Sequence, residues 1–267
     1  ANERGVSLMI DGTSRLITPG AERSITLLAG QDAILAGSVI AGGNTSDLGL
    51  IWADGGGADL TVIAGQRISV DGSLAAARSV RLETTQVPGP NDGQVSVWLS
   101  SAGSITAGAL ANDGFSGGSV RIDASAHVEL GGSVLAGGAL NRTEAGATIV
   151  WSDQPSEVRI QTDGQLSLGV IVEKPDGQSV EVGASIAAWD QVWLEGGTGR
   201  QRDAGPGAES DGTGLRIPGN SRIVAGSGDA LVRLSSVQDV DLFGEIVVGG
   251  QLSDRYDVRG ESVGSEL

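Results

Sequence analysis

The chain contains no cysteine, one histidine (His127), one methionine (Met9) and one lysine (Lys174). Disulfide scaffolds, zinc clusters and catalysis by cysteine or by several histidines are thereby excluded. Aromatic residues are scarce, with five Trp, two Phe and one Tyr in 267 residues. Arg, Asp and Glu interrupt every apolar stretch, so no run approaches a membrane span. Positive charge is in deficit too. With 33 acidic and 17 basic side chains the formal charge is −16, which repels phosphate backbones and argues against nucleic acid as a partner. The opening ANERGVSLMIDG has neither the basic leader nor the apolar core of a signal peptide, so the expectation is a processed chain or a piece of a longer one.

What is abundant is glycine, at 44 positions, mixed with Val, Ile, Leu and Ala. β-Branched residues favour the pleated conformation and glycine supplies unusual backbone angles, so the mixture suits many short strands with tight corners. Disorder is the competing account of a Gly-rich acidic chain. It loses because the apolar residues are patterned.

The pattern is an internal repeat. Residues 24–43 read SITLLAGQDAILAGSVIAGG, 119–138 read SVRIDASAHVELGGSVLAGG, and 231–250 read LVRLSSVQDVDLFGEIVVGG. They align without a gap at offsets of 95 and 112 positions, from Ser24 to Ser119 and from Ser119 to Leu231. Val97-Trp98-Leu99 returns as Val192-Trp193-Leu194, and Trp52-Ala53-Asp54 as Trp151-Ser152-Asp153. The longer second unit places its surplus in residues 196–214, which lack apolar periodicity and read as an inserted loop. Within each unit, apolar–x–apolar triplets such as Val80-Arg81-Leu82 and Val120-Arg121-Ile122 put two residues on one face and the middle one on the other.

Short alternating strands, Gly corners and an irregular beat predict an all-β fold, a single-stranded parallel β-helix (β-solenoid). It would form an elongated rod of about ten coils of roughly 25 residues, with loops at the corners. The solenoid spans 1–250, and the polar stretch 251–267 reads as a tail or linker. Tandem β-sandwiches or propeller blades are the alternatives, although the repeat lacks the even length of four antiparallel strands. The inward ladder should include Leu27, Val39, Leu60, Val62, Val97, Leu99, Val120, Ile122, Val134, Val158, Ile160, Val232 and Leu234.

On these residues the chain resembles the repetitive β-helical shafts of large bacterial surface exoproteins, the filamentous haemagglutinin-like adhesins. The similarity rests on ITLLAGQDAILAGSVIAGG and LTVIAGQRISVDGSLAA and runs from about Ser24 to Gly250. The resemblance implies a secreted or cell-surface protein serving adhesion, biofilm cohesion or filament building. Its partners would be glycans, cell surfaces or neighbouring copies, with no cofactor. The secretion domain that opens such proteins has no counterpart here.

β-Helices also carry polysaccharide lyases and hydrolases, so a glycan-degrading enzyme is the alternative. Asp239 and Asp241 are two apart and share a face, at about 6.5–7 Å along a strand, a separation compatible with an inverting carboxylate pair. Their counterparts are His127 and Glu129, then Asp32 and Ile34. Solvated positions on an outer face are the better account of all of these. Lys174, in the turn EKPDG, is a poor lyase base. Asp203, Glu209 and Asp211 offer a weak calcium site in a Gly-rich loop, short of the six to eight oxygens the ion needs. The Gly-Gly pairs are not followed by Lys-Ser/Thr, so nucleotide binding fails and they read as corners.

Trp98 and Trp193 are the candidate binding residues. Each lies between a Val and a Leu that face inward, so each indole faces outward, and both should project from one side of the rod as platforms for sugars or partners. The competing account buries each under a neighbouring loop, Trp193 beneath residues 196–214. Exposed strand edges at the two ends predict end-to-end self-association unless Asn2–Gly5 and Ser253–Leu267 cap them.

Overall fold

The computed structural model describes residues 6–19, 22–46, 49–52, 57–88, 95–108, 110–111, 114–115, 117–143, 146–152, 154–197 and 213–249. Three long sheets, all parallel, hold most of them, with eight, eight and seven strands. Sheet 1 runs in order through Val6–Ile10, Asp32–Leu35, Arg67–Val70, Val95–Leu99, His127–Leu130, Leu166–Ser167, Thr213–Ile217 and Asp239–Leu242. Sheet 2 runs through Arg15–Thr18, Ser38–Ala41, Ser73–Ala76, Ser104–Ala107, Ser133–Ala136, Ser185–Ala188, Arg222–Ala225 and Glu245–Val248. Sheet 3 runs through Ile25–Ala29, Asp59–Ala64, Ser79–Thr84, Ser119–Ala124, Glu157–Thr162, Gln191–Gly196 and Leu231–Ser236. The chain visits the sheets in the order 1, 2, 3 and then returns to sheet 1, an arrangement compatible with a β-helix. Parallel pairing throughout the large sheets excludes antiparallel sandwiches and propeller blades. Among the described residues there is no helix long and apolar enough to cross a membrane.

Register is carried from circuit to circuit without a shift in sheets 2 and 3, whereas sheet 1 has a shift between Val6 and Leu8, Val95 and Val97, and Thr213 and Leu215. In sheet 3, Leu60, Val80, Val120, Val158, Val192 and Val232 are successive partners, and Val62, Leu82, Ile122, Ile160, Leu194 and Leu234 follow two positions on. Alternation sends these inward, and all but Val232 and Leu234 at the last circuit are almost wholly buried. The inward ladder named above is found in the core, with Leu27 and Leu234 packed partly buried against it. Burying each such Val, Leu or Ile stabilises by about 1.5–3 kcal/mol, and no circuit could bury them without its neighbours. The core needs no Phe because small β-branched and Leu side chains fill a narrow space.

The circuits vary in length, as the irregular beat implied, and the described strands make seven to eight of them where about ten were expected. Leu60 and Val80 are 20 positions apart, whereas Ile25 and Leu60 are 35 and Val80 and Val120 are 40. The apparent 95-residue unit is therefore three circuits, and each 20-residue repeat is one pass through sheets 3, 1 and 2. The 17-residue surplus also falls elsewhere than predicted, three residues of it between Val120 and Val158, which are 38 apart against 35 for Ile25 and Leu60, and the other 14 in the next circuit. Val158 and Val192 are 34 apart, against 20 for their counterparts Leu60 and Val80, because the antiparallel hairpin Gly169–Glu173 with Ser179–Gly183 is inserted there. Residues 198–212 lie outside the described residues, as does 250–267.

The hairpin from Gly169 to Gly183 leaves the corner between sheets 1 and 2; the other hairpins leave the next corner, after sheet 2. Gly43–Ser46 pairs with Gly49–Trp52, Leu110–Ala111 with Gly114–Phe115, and Gly138–Thr143 with Gly146–Trp151. Each departure is preceded by a glycine in the left-handed region, Gly42, Gly108 or Gly137, at φ of 76, 97 and 69°. That conformation is costly for any residue with a Cβ, which explains the Gly at the end of the repeat. Trp151 and Ile149 of the third hairpin cover Leu135, Ala187, Val224 and Val247, a second apolar cluster on the outer face of sheet 2.

Candidate functional site

The outer faces of the sheets are ladders, because a conserved register stacks equivalent side chains about 4.8 Å apart. In sheet 3 the central outward ladder reads Thr26, Thr61, Arg81, Arg121, Arg159, Trp193 and Arg233. Neighbouring arginines repel, and carboxylates two positions on relieve this: Glu83 meets Arg81 at 2.7 Å and Asp123 meets Arg121 at 2.7 Å. Asp123 holds the Arg121 guanidinium in its charged form by a direct hydrogen bond. Where the neighbours become Gln161 and Ser235, the indole of Trp193 takes over. Arg159 and Arg233 lie over its ring at 4.4 and 4.5 Å from the centroid. Both indole faces are thus occupied, and its Nε1–H is buried with no acceptor. A ring in that state offers no platform to a sugar.

Trp98 lies in a different sheet. It is half-buried in sheet 1, in register between Ser69 and Glu129. The expectation that both tryptophans project from one side is therefore corrected. Their 95-residue offset returns them to the same residue context but not to the same sheet, since circuit lengths vary. Glu129 is half-buried, and desolvation raises its pKa against a lowering pull from Arg67. His127, two residues before it, is also desolvated and its pKa is lowered. Its Nδ1 accepts the backbone N–H of Gln165 at 2.7 Å, which makes the ring a neutral acceptor that completes a corner.

Asp239 and Asp241 lie on the last described strand of sheet 1, in register with Thr213 and Arg216. Asp239 is exposed and Asp241 half-buried. Among the described residues no further strand covers their inward neighbours, and Val240 and Leu242 are 45% and 44% exposed. The structure therefore brings no further described carboxylate of sheet 1 beside this pair. Asp203, Glu209 and Asp211 lie outside the described residues. Among the described residues no group of three or more His, Asp or Glu could hold a metal ion.

A concave site lies where sheet 2 turns into sheet 3. An open groove of about 680 Å³ crosses five successive circuits, with Arg78 at one end and Gln154, Glu157, Asp190, Gln191 and Asp229 along it. Arg78 is committed to Asp59 through a two-pronged ion pair. One oxygen of Asp190 accepts the Ser156 N–H at 2.8 Å, and Ser119 donates to Glu157 at 3.3 Å. Asp229 is exposed. Beside the groove, Trp189 directly precedes Asp190 and packs on Trp151, ring centroids 5.7 Å apart at 47°. Both indoles are half-buried. Gly226 forms their floor, since a Cβ there would stand 2.8 Å from Trp151 and 3.0 Å from Trp189.

Sequence reasoning missed this pair and the groove. The available signal was that Trp52, Trp151 and Trp189 are each followed within two residues by an Asp, unlike Trp98 and Trp193, which sit inside apolar triplets. The chain matches no protein-family model, no curated protein and no solved structure.

Proposed function

We propose that this chain is a β-helical shaft segment of a secreted or cell-surface bacterial protein, a structural and adhesive element that acts through its outer faces. What supports the reading is the fixed 1, 2, 3 order of strands, each bonded in register only to strands one circuit away. A circuit of that kind advances about 4.8 Å, so seven to eight circuits make a stack nearly 40 Å long. Stacked ladders present side chains at a constant interval, which suits a surface that contacts extended partners or neighbouring copies. The resemblance to haemagglutinin-like shafts stands on the repeat alone. Small-angle scattering of the full chain tests the shape: a rod-like distance distribution is expected, and a sphere overturns the reading. Adhesion is tested separately by retention of the labelled chain on bacterial cells, where no retention above a control protein of equal charge counts against it.

A polysaccharide-degrading enzyme is the second reading. One observation favours it, the half-buried carboxyl of Glu129 in register with Trp98, its pKa raised by desolvation as a general acid requires. Turnover of any polysaccharide that is abolished by Glu129→Gln, with folding intact, would establish it. Turnover that survives this change removes Glu129 from the reading, and absence of turnover over a panel of substrates leaves the shaft.

A further inference from the structure

We propose that the two ends of the stack are complementary docking surfaces, and that a second copy of the chain seats its first circuit on the last circuit of the copy before it. The proposal rests on the shaft reading and deepens it. The partner is this chain itself, the contact is end on end, and copies add in an open series along the rod axis.

The first observation is what the last circuit leaves uncovered. Among the described residues, Leu231–Ser236, Asp239–Leu242 and Glu245–Val248 are each bonded on one side only, as are Val6–Ile10, Arg15–Thr18 and Ile25–Ala29 at the other end. Val240 and Leu242 are 45% and 44% exposed, whereas Leu215 and Ile217, their register partners one circuit earlier, are fully buried. The uncovered surface is therefore what one further circuit would cover, three strand edges around an apolar centre. An unpaired edge is a template for a strand, and a lipid or a helix satisfies none of its N–H and C=O groups.

The second observation is that the first circuit fits as that covering circuit. Along the register, Leu8 and Val240 open and close one inward ladder, Leu16 and Ile246 another, and Ile25 and Val232 a third. A copy continued along the axis sets an apolar inward residue over an apolar one in each of the three sheets, with every strand still parallel.

The third is charge. Glu245 lies 3.0 Å from Arg222 of the preceding circuit, in the ladder that Arg15 opens. Stacking brings the second copy's Arg15 to the other side of Glu245, so the carboxylate lies between two guanidiniums. In the outward ladders Arg233 meets Thr26 and Asp241 meets Met9, so like charges are not opposed there. Joining two last circuits to each other would instead gather Asp239, Asp241 and Glu245 of both copies, which disfavours a closed pair.

The test uses the full chain in sedimentation equilibrium at about 0.15 M salt, with solution scattering over the same concentrations. Mass should rise with concentration beyond the dimer while the scattering cross-section stays that of one chain, because translation along an axis never closes. Two substitutions add an acid to exposed positions of the first circuit and have opposite expected outcomes. Arg15→Glu opposes Glu245 and should weaken association about fivefold, whereas Thr26→Glu comes to face Arg233 and should tighten it about twofold. Leu242→Lys, at the apolar centre of the last circuit, should weaken it about tenfold. Ile171→Lys, exposed on the hairpin from Gly169 to Gly183, should change nothing. A monomer at every concentration, with the ends covered from within the chain, overturns the proposal. So does a series that stops at the dimer, a thickening cross-section, weakening by both acids alike, or loss with Ile171→Lys. Scattering at the lowest concentration tests the shaft reading by itself: a rod that never associates supports that reading and removes this one.

Discussion

Removing the indole of Trp193 isolates the energetics of an outer-face ladder. The ring is held between Arg159 and Arg233, with guanidinium carbons 4.4 and 4.5 Å from its centroid. At partly exposed sites each such contact contributes about 0.5–1 kcal/mol, so the two together give about 1–2 kcal/mol. Half-burial of an indole adds about 2 kcal/mol of apolar transfer. Against this stands the buried Nε1–H without an acceptor, whose removal returns about 1 kcal/mol. Trp193→Ala should therefore destabilise by about 2–3 kcal/mol. Trp193→Phe keeps a ring between the two cations and discards the orphaned N–H, so it should cost less than about 1 kcal/mol. Urea titrations followed by circular dichroism measure both, together with a double-mutant cycle of Trp193→Ala and Arg159→Gln, whose coupling should be about 0.5–1 kcal/mol. A coupling of zero, or a Phe variant as unstable as the Ala variant, would show that stacking on the cations contributes nothing and that the site is held by indole packing alone.

Other consequences follow from single residues. His127 is buried as the neutral acceptor of Gln165 N–H and its pKa lies below the ordinary 6.5. The unfolded chain then binds the proton more readily, so this stability is full above pH 6.5 and is lost as pH falls through the depressed folded value. His127→Gln should flatten that part of the stability-versus-pH curve, and an unchanged curve would refute the assignment. Glu129 has the opposite sign: its pKa is raised above 4.5, so its contribution is present below that value and lost as pH rises through the raised one. Glu129→Gln should stabilise the chain at neutral pH and make no difference in acid, measured by the same titrations. Gly137→Ala should destabilise by about 3 kcal/mol, because φ is +69° and the new Cβ would stand 1.7 Å from Ser156 Oγ. Gly177→Ala, at φ +78° with nothing within 4 Å, should cost only about 1 kcal/mol, so equal melting shifts for the two would contradict the steric argument.

The sequence alone determined which residues face inward and that the strands are short, because both follow from local rules. Alternation within a triplet such as Val80-Arg81-Leu82 holds whichever strand lies beside it, and only a residue without a Cβ tolerates the backbone of Gly42, Gly108 or Gly137. Net charge and the missing cysteine likewise needed no coordinates to exclude whole classes of chemistry. Which strands are neighbours was decided by the tertiary structure. A parallel pairing joins residues 20 to 52 positions apart, and a hairpin inserted between them lengthens the interval while the strands still pair. For that reason Trp98 and Trp193, alike in sequence context, fall on sheets 1 and 3, and most of the surplus of the second unit lies in the circuit with the hairpin from Gly169 to Gly183. The groove was invisible for the same cause. Glu157, Asp190 and Asp229 come from separate circuits, and only the stacking of those circuits sets them along one groove.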